Sequence, residues 1–127
     1  MQLSSQSFQN GSPIPAEFAF GRIDPIHHFA FSQNRNPQLE WKDVPEPTNS
    51  FVLICHDIDV PSRPDDVNQE GREVHWLLLD IPVATRQIAA GSYSDGVTAR
   101  GKKGPEAPDG LQQGVNDFTG CLRTTPT

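Results

Sequence analysis

The sequence is poor in several residue types, and each shortage excludes a class of protein. Only two cysteines occur among 127 residues, which is too few for a disulfide framework and is typical of a reducing cytoplasm. No apolar run approaches the length of a membrane span, and residues 1–7 lack the basic and apolar regions of a secretory signal. We therefore expect a cytoplasmic protein without a membrane span.

Basic and hydrophobic residues are also scarce. Ten Lys and Arg stand against sixteen Asp and Glu, so the formal net charge is −6, which disfavours nucleic acid and anionic membrane surfaces as partners. Hydrophobic residues make up 35% of the chain, while ten Gly and twelve Pro supply many turn formers. The length is that of one domain, and its composition argues against a helical bundle.

Two short apolar runs are the main structural signal. They cover residues 51–55 and 74–79, and turn-forming residues bound both. Such runs predict strands that are buried on both faces, and Cys55 within the first run is then expected to be a buried thiol.

Two weaker patterns lie on either side of these runs. Leu39 and Trp41 alternate with polar neighbours, which predicts a half-buried strand with Trp41 anchored in the core. Residues 84–90 are compatible with a short helical turn.

Polar groups lie at the ends of the two apolar runs. Asp57 and Asp59 follow the first run, and His75 lies in the second; charges beside a core are costly unless they are paired, hydrated or used. They could serve acid–base chemistry in a hydrolase-like enzyme, although no G-x-S-x-G nucleophile motif occurs. The two aspartates could bind a metal together with His56 or His75, although the spacing matches no closed metal site. Taken alone, the residues favour structural roles, with the aspartates capping turns and His75 as a core histidine.

Four motifs together resemble the phosphatidylethanolamine-binding protein family, in particular its bacterial Raf-kinase-inhibitor-like branch of the YbhB/YbcL type. Each motif alone is weak, but all four occur in the family's order. They are F-x-x-G-x-x-I-P at 8–15, N-x-N-P-x-L-x-W at 34–41, D-I-D-V-P at 57–61 and H-W at 75–76.

The resemblance implies a mainly β fold of antiparallel Greek-key sheets with few short helices. It implies one domain over residues 1–120, and the remainder, residues 121–127, resembles nothing in the family. Because the family's later segments have no counterpart here, we expect this domain to be incomplete, and a damaged, non-functional copy is one interpretation. The resemblance also implies a cis bond between Val60 and Pro61.

The same resemblance implies a non-enzymatic binding protein that uses no metal and no cofactor. Its small pocket would accept phosphate or a phospholipid head group as the anionic ligand. Asp57, Asp59 and His75 would line the pocket, and Pro61 and Trp76 would form its walls. Family members are also described as modulators of protein kinases or proteases, so either is a conceivable protein partner.

Overall fold

The computed structural model describes residues 1–59, 73–94, 107–116 and 121–122. Within these ranges the chain is mainly β, as expected, and its paired strands run antiparallel. No helix in the described ranges is long and apolar enough to cross a membrane. The strands are β1 (Gln2–Ser4), β2 (Gly21–Arg22), β3 (Ala30–Phe31), β4 (Leu39–Lys42), β5 (Ser50–Asp57), β6 (Glu73–Pro82), β7 (Gln87–Ile88), β8 (Gln112–Gln113), β9 (Val115–Asn116) and β10 (Cys121–Leu122), with 3₁₀ turns at Ala16–Phe18 and Pro108–Gly110.

The chain divides into two compact units. The first contains a sheet of order β1-β4-β7 and the β2–β3 hairpin. The second contains a sheet of order β5-β6-β8 and the pair β9–β10. The single domain predicted over residues 1–120, and the atypical tail beyond it, stay predictions.

In the first unit, β4 is the central strand. Trp41 is buried on it, which confirms its predicted role as a core anchor. Leu39 pairs with the buried Ile88 of β7. The helical turn predicted over residues 84–90 is wrong, because this segment runs alongside β4 instead: the N–H of Trp41 donates to the carbonyl of Arg86 at 2.9 Å.

A buried asparagine joins the start of β4 to the turn after β7. Asn36 is fully buried, and its side-chain oxygen accepts hydrogen bonds from the N–H of Tyr93 at 2.8 Å and the hydroxyl of Ser94 at 3.1 Å. Its amide nitrogen donates to the carbonyls of Ala89 at 2.9 Å and Pro37 at 3.1 Å. Burying an amide is favourable only with such partners, so Asn36 fixes the turn at residues 89–94 against the chain entering β4.

In the second unit, β6 is the central strand and carries the core. Trp76, Leu78 and Ile81 on this strand are 3%, 0% and 2% exposed, which places them among the most buried side chains of the described chain. β5 pairs with one edge of β6 and β8 with the other. The second apolar run is therefore a core strand, as predicted.

The prediction of burial on both faces is wrong for β5. Val52 and Ile54 are each 55% exposed, and Cys55 is exposed rather than a buried thiol. Side chains alternate across a strand, and the better covered face of β5 carries Phe51 and Leu53. A continuous apolar run does not distinguish one covered face from two, so this pattern could not reveal the difference.

Candidate functional site

The predicted site residues lie where β5 ends and β6 begins. Asp57 is the half-buried last residue of β5, and the exposed Asp59 follows two positions later. His75 is half-buried near the start of β6. The antiparallel register sets Asp57 opposite Glu73, so the three titratable residues belong to one end of the sheet. Pro61, and the cis bond predicted before it, lie outside the described residues.

His75 occupies an irregular position in the β5–β6 ladder. Cys55 pairs with Trp76, but the next residue of β5, His56, pairs with Val74. The register therefore shifts by one residue, and His75 is the extra residue in β6. An extra residue of this kind bends the strand and re-aims a side chain, and such irregularities are common beside functional sites.

Asp57 shapes the chain as it leaves β5. Its carboxylate oxygen Oδ1 accepts a hydrogen bond from the N–H of Asp59 at 2.9 Å. This is an Asx turn, in which a side chain replaces a backbone acceptor. Asp57 thus has the turn-capping role that the residues alone favoured. The same hydrogen bond fixes the backbone of Asp59, which carries the second carboxylate.

Trp76 supports the start of β6 from the core. Its side chain is 3% exposed, and its indole N–H donates to Oε1 of Gln113 at 3.0 Å. Gln113 on β8 is itself buried, at 4% exposed. Gln113 accepts from the single N–H donor of the buried indole, and a buried donor needs such a partner. The sequence offered no signal for this residue, because it lies in a polar stretch without apolar periodicity.

The described residues offer no metal centre. No group of three or more His, Cys, Asp or Glu among them could hold a metal ion, so the alternative site built from His56 or His75 with the two aspartates receives no support. Two surface cavities of about 500 and 310 Å³ lie in the first unit, and neither is lined by a predicted site residue. The candidate site is therefore defined by the register of β5 and β6 and not by a cavity.

Two crystal structures share this fold. A putative phosphatidylethanolamine-binding protein homologue from Chlamydia trachomatis matches with a TM-score of 0.65 and 26% identity, covering 98% of this chain and 63% of that one. YbcL of Escherichia coli, described as a member of the mammalian PEBP family, matches with a TM-score of 0.65 and 25% identity, covering 92% and 60%. The fold is thus of the phosphatidylethanolamine-binding protein type.

Sequence comparison leads to the same family. Residues 4–126 match the family model for phosphatidylethanolamine-binding protein. A UPF0098 protein of Aquifex aeolicus is 33% identical over 120 residues, which are 93% of this chain and 53% of the relative. The UPF0098 protein YbhB of Escherichia coli is 30% identical over 118 residues, with coverages of 93% and 62%. The chain belongs to the phosphatidylethanolamine-binding protein family, and it spans between half and two thirds of the length of these relatives.

Proposed function

We propose that the chain is a non-enzymatic binding protein that holds a phosphate or phospholipid head group at the β5–β6 end. Asp57, Asp59 and His75 line this site in the proposal, with Pro61 and Trp76 as its walls. The observation that carries the proposal is the register, which sets the end of β5 against the start of β6. Family membership supports the same assignment.

The chemistry of the three polar groups suits a zwitterion. A protonated imidazole on His75 donates N–H groups to phosphate oxygens. The carboxylates of Asp57 and Asp59 weaken binding of a bare phosphate dianion by repulsion, but they pair with the ammonium of an ethanolamine head group through charge-assisted hydrogen bonds. The site should therefore prefer phosphoethanolamine to inorganic phosphate.

Binding is a better interpretation than hydrolysis. Oδ1 of Asp57 already accepts a hydrogen bond from the N–H of Asp59, which gives this carboxylate a role in holding the turn that needs no proton transfer. The sequence also lacks the G-x-S-x-G nucleophile motif.

Titration calorimetry with phosphoethanolamine and inorganic phosphate tests the proposal. Both ligands should bind the wild type, and phosphoethanolamine should bind more tightly than phosphate. His75→Ala should lower the affinity for both ligands about tenfold, the effect of losing one charged hydrogen bond. Asp59→Asn should weaken the preference for phosphoethanolamine over phosphate.

His56→Ala is the matched control. His56 is an exposed histidine on β5, next to Asp57 in sequence, and its loss should leave the affinity unchanged. No binding of either ligand by the wild type, or equal losses in His56→Ala and His75→Ala, would contradict the proposal.

A further inference from the structure

The β2–β3 hairpin presents two isoleucine side chains at its tip, which we define as residues 23–29. Gly21 pairs with Phe31 and Arg22 with Ala30, and the tip connects these pairs. Ile23 is 89% exposed and Ile26 is 79% exposed, the highest values for large hydrophobic side chains in the part of the chain that the structure describes. Single exposed hydrophobic residues are ordinary, but two at one tip are a feature that needs a reason.

Hydrogen bonds hold the tip in shape. Oδ1 of Asp24 accepts from the N–H of Ile26 at 2.9 Å and from the N–H of His27 at 2.7 Å. The N–H of Asp24 donates to the carbonyl of His28 at 3.4 Å. The two isoleucines therefore lie in a closed turn, in which the N–H groups of Asp24, Ile26 and His27 have acceptors.

Apolar surface continues from the tip to the base of the hairpin. Phe31 packs edge-on against both Phe20 and Phe29, with ring centroids 5.3 Å apart in each pair. Phe29 and Phe31 are nonetheless 50% and 63% exposed. Gly21 makes room for this arrangement, since a Cβ there would lie 2.1 Å from a ring carbon of Phe29.

The formal charges of the tip and of Arg22, which directly precedes it, are balanced, although the chain as a whole carries −6. Arg22 and Asp24 bear opposite formal charges, and the neighbouring polar side chains are the exposed His27 and His28. Side chains of balanced charge suit a surface that presents both phosphate and ammonium groups. The net negative charge of the chain disfavours a strongly anionic surface.

We propose that the hairpin tip inserts Ile23 and Ile26 into the interface of a bilayer of zwitterionic phospholipids. A stable protein–protein interface uses about 20–30 residues on each side, far more than this convex tip offers. A bilayer interface, in contrast, accepts isolated apolar side chains, and binding strength follows the apolar area that they bury. The tip belongs to the first unit and the β5–β6 site to the second, and this inference does not rest on the proposed function.

Sedimentation with vesicles of equimolar phosphatidylcholine and phosphatidylethanolamine tests the inference. Burying one isoleucine changes a partition coefficient about tenfold, so Ile23→Ser/Ile26→Ser should lower vesicle partitioning about a hundredfold. Added salt should not release the wild type, because the attraction is apolar. Ile14→Ser is the matched control: Ile14 is 53% exposed in the same unit, and its replacement should leave partitioning unchanged.

A second variant reports insertion directly. In the Ile26→Trp variant, the fluorescence emission of the introduced indole should shift to the blue when vesicles are added. Brominated lipid acyl chains should quench this emission. The native Trp41 and Trp76 are buried and should change little. The serine variants should keep the wild-type circular dichroism spectrum, since the replaced side chains are solvent-exposed.

Three results would overturn the inference. They are no vesicle binding by the wild type, equal binding by Ile23→Ser/Ile26→Ser and Ile14→Ser, or a wild-type dimer in ultracentrifugation that the double variant abolishes. The last result would assign the tip to contact between copies of the chain.

Discussion

Asp24 organises its turn through a single carboxylate. The N–H groups of His27 and then Ile26 donate to it, with a smaller contribution from the charge of Arg22, and together they lower the pKa of Asp24 below its ordinary value of 3.8. Because the folded pKa is depressed, the charged carboxylate stabilises the turn above pH 3.8, and this stabilisation is lost as the pH falls through the folded pKa.

An NMR titration checks this residue directly. We expect the carboxyl of Asp24 to titrate below 3.8, with the amide signals of Ile26 and His27 following the same curve. Asp24→Ala should make both amide signals insensitive to pH in that range. A midpoint at or above 3.8 would show that the two hydrogen bonds do not form in solution.

Asn36 should matter for stability more than any exposed polar residue. Asn36→Ala removes both the acceptor for Tyr93 and the donor for Ala89, and each buried group left unsatisfied costs about 1–3 kcal/mol. Urea unfolding should show a loss of at least about 2 kcal/mol, whereas Asn10→Ala at an exposed position should change little. Equal stability of the two variants would contradict the role assigned to Asn36.

For single residues, the sequence indicated which residues matter better than it indicated what each of them does. Asp57 was expected both to line a pocket and to cap a turn, and the bond to Asp59 establishes the second role. Gln113 was missed because one glutamine in a polar stretch carries no pattern, although its bond to Trp76 fills a requirement of the core. Hydrogen-bond partners that are distant in sequence leave no periodic signal.

The contact between β6 and the segment after β8 leaves no room for a side chain at residue 114. The N–H of Gly114 donates to the carbonyl of Leu77 at 2.9 Å. A Cβ on Gly114 would lie 2.4 Å from Cδ2 and 2.9 Å from Cβ of Leu77, closer than packed carbon atoms allow. Either the strand or the leucine must therefore shift if this glycine is replaced.

We expect Gly114→Ala to lower the free energy of unfolding by about 1–3 kcal/mol, the usual cost of overpacking. Leu77→Ala removes part of the obstruction, so the double variant should lose less stability than the sum of the two single variants. Thermal and urea unfolding of the three variants measure this coupling. Strict additivity would show that Gly114 and Leu77 do not collide.

Among the elements, local patterns predicted those strands in which the apolar residues of the sequence pattern are the buried ones. β4 and β6 appear where expected, with Trp41 and Leu78 in the cores. β7 was not foreseen, because a two-residue strand is defined by its partner rather than by its own composition. The exposure of Val52 was missed for a similar reason: whether an apolar strand is covered on one face or two depends on elements distant in sequence.

For the whole molecule, the family could be recognised from sequence, but the geometry of the candidate site could not. Four short motifs distributed along the chain carried the resemblance, and the family model and the fold confirmed it. The register shift at His75 is invisible in the sequence, because one extra residue in a ladder changes no composition or periodicity. That shift makes His75 the extra residue of β6 at the candidate site.

The central claim is that a head group binds at the β5–β6 end of this chain. The most direct test is NMR shift mapping of the uniformly labelled wild-type protein with phosphoethanolamine at pH 6. We predict that the largest shifts fall on Asp57, Asp59 and His75, that they saturate, and that in His75→Ala the shifts on the two aspartates need about tenfold more ligand to saturate. Saturating shifts confined to other residues, or no shifts on the two aspartates and His75 at saturating ligand, would contradict it.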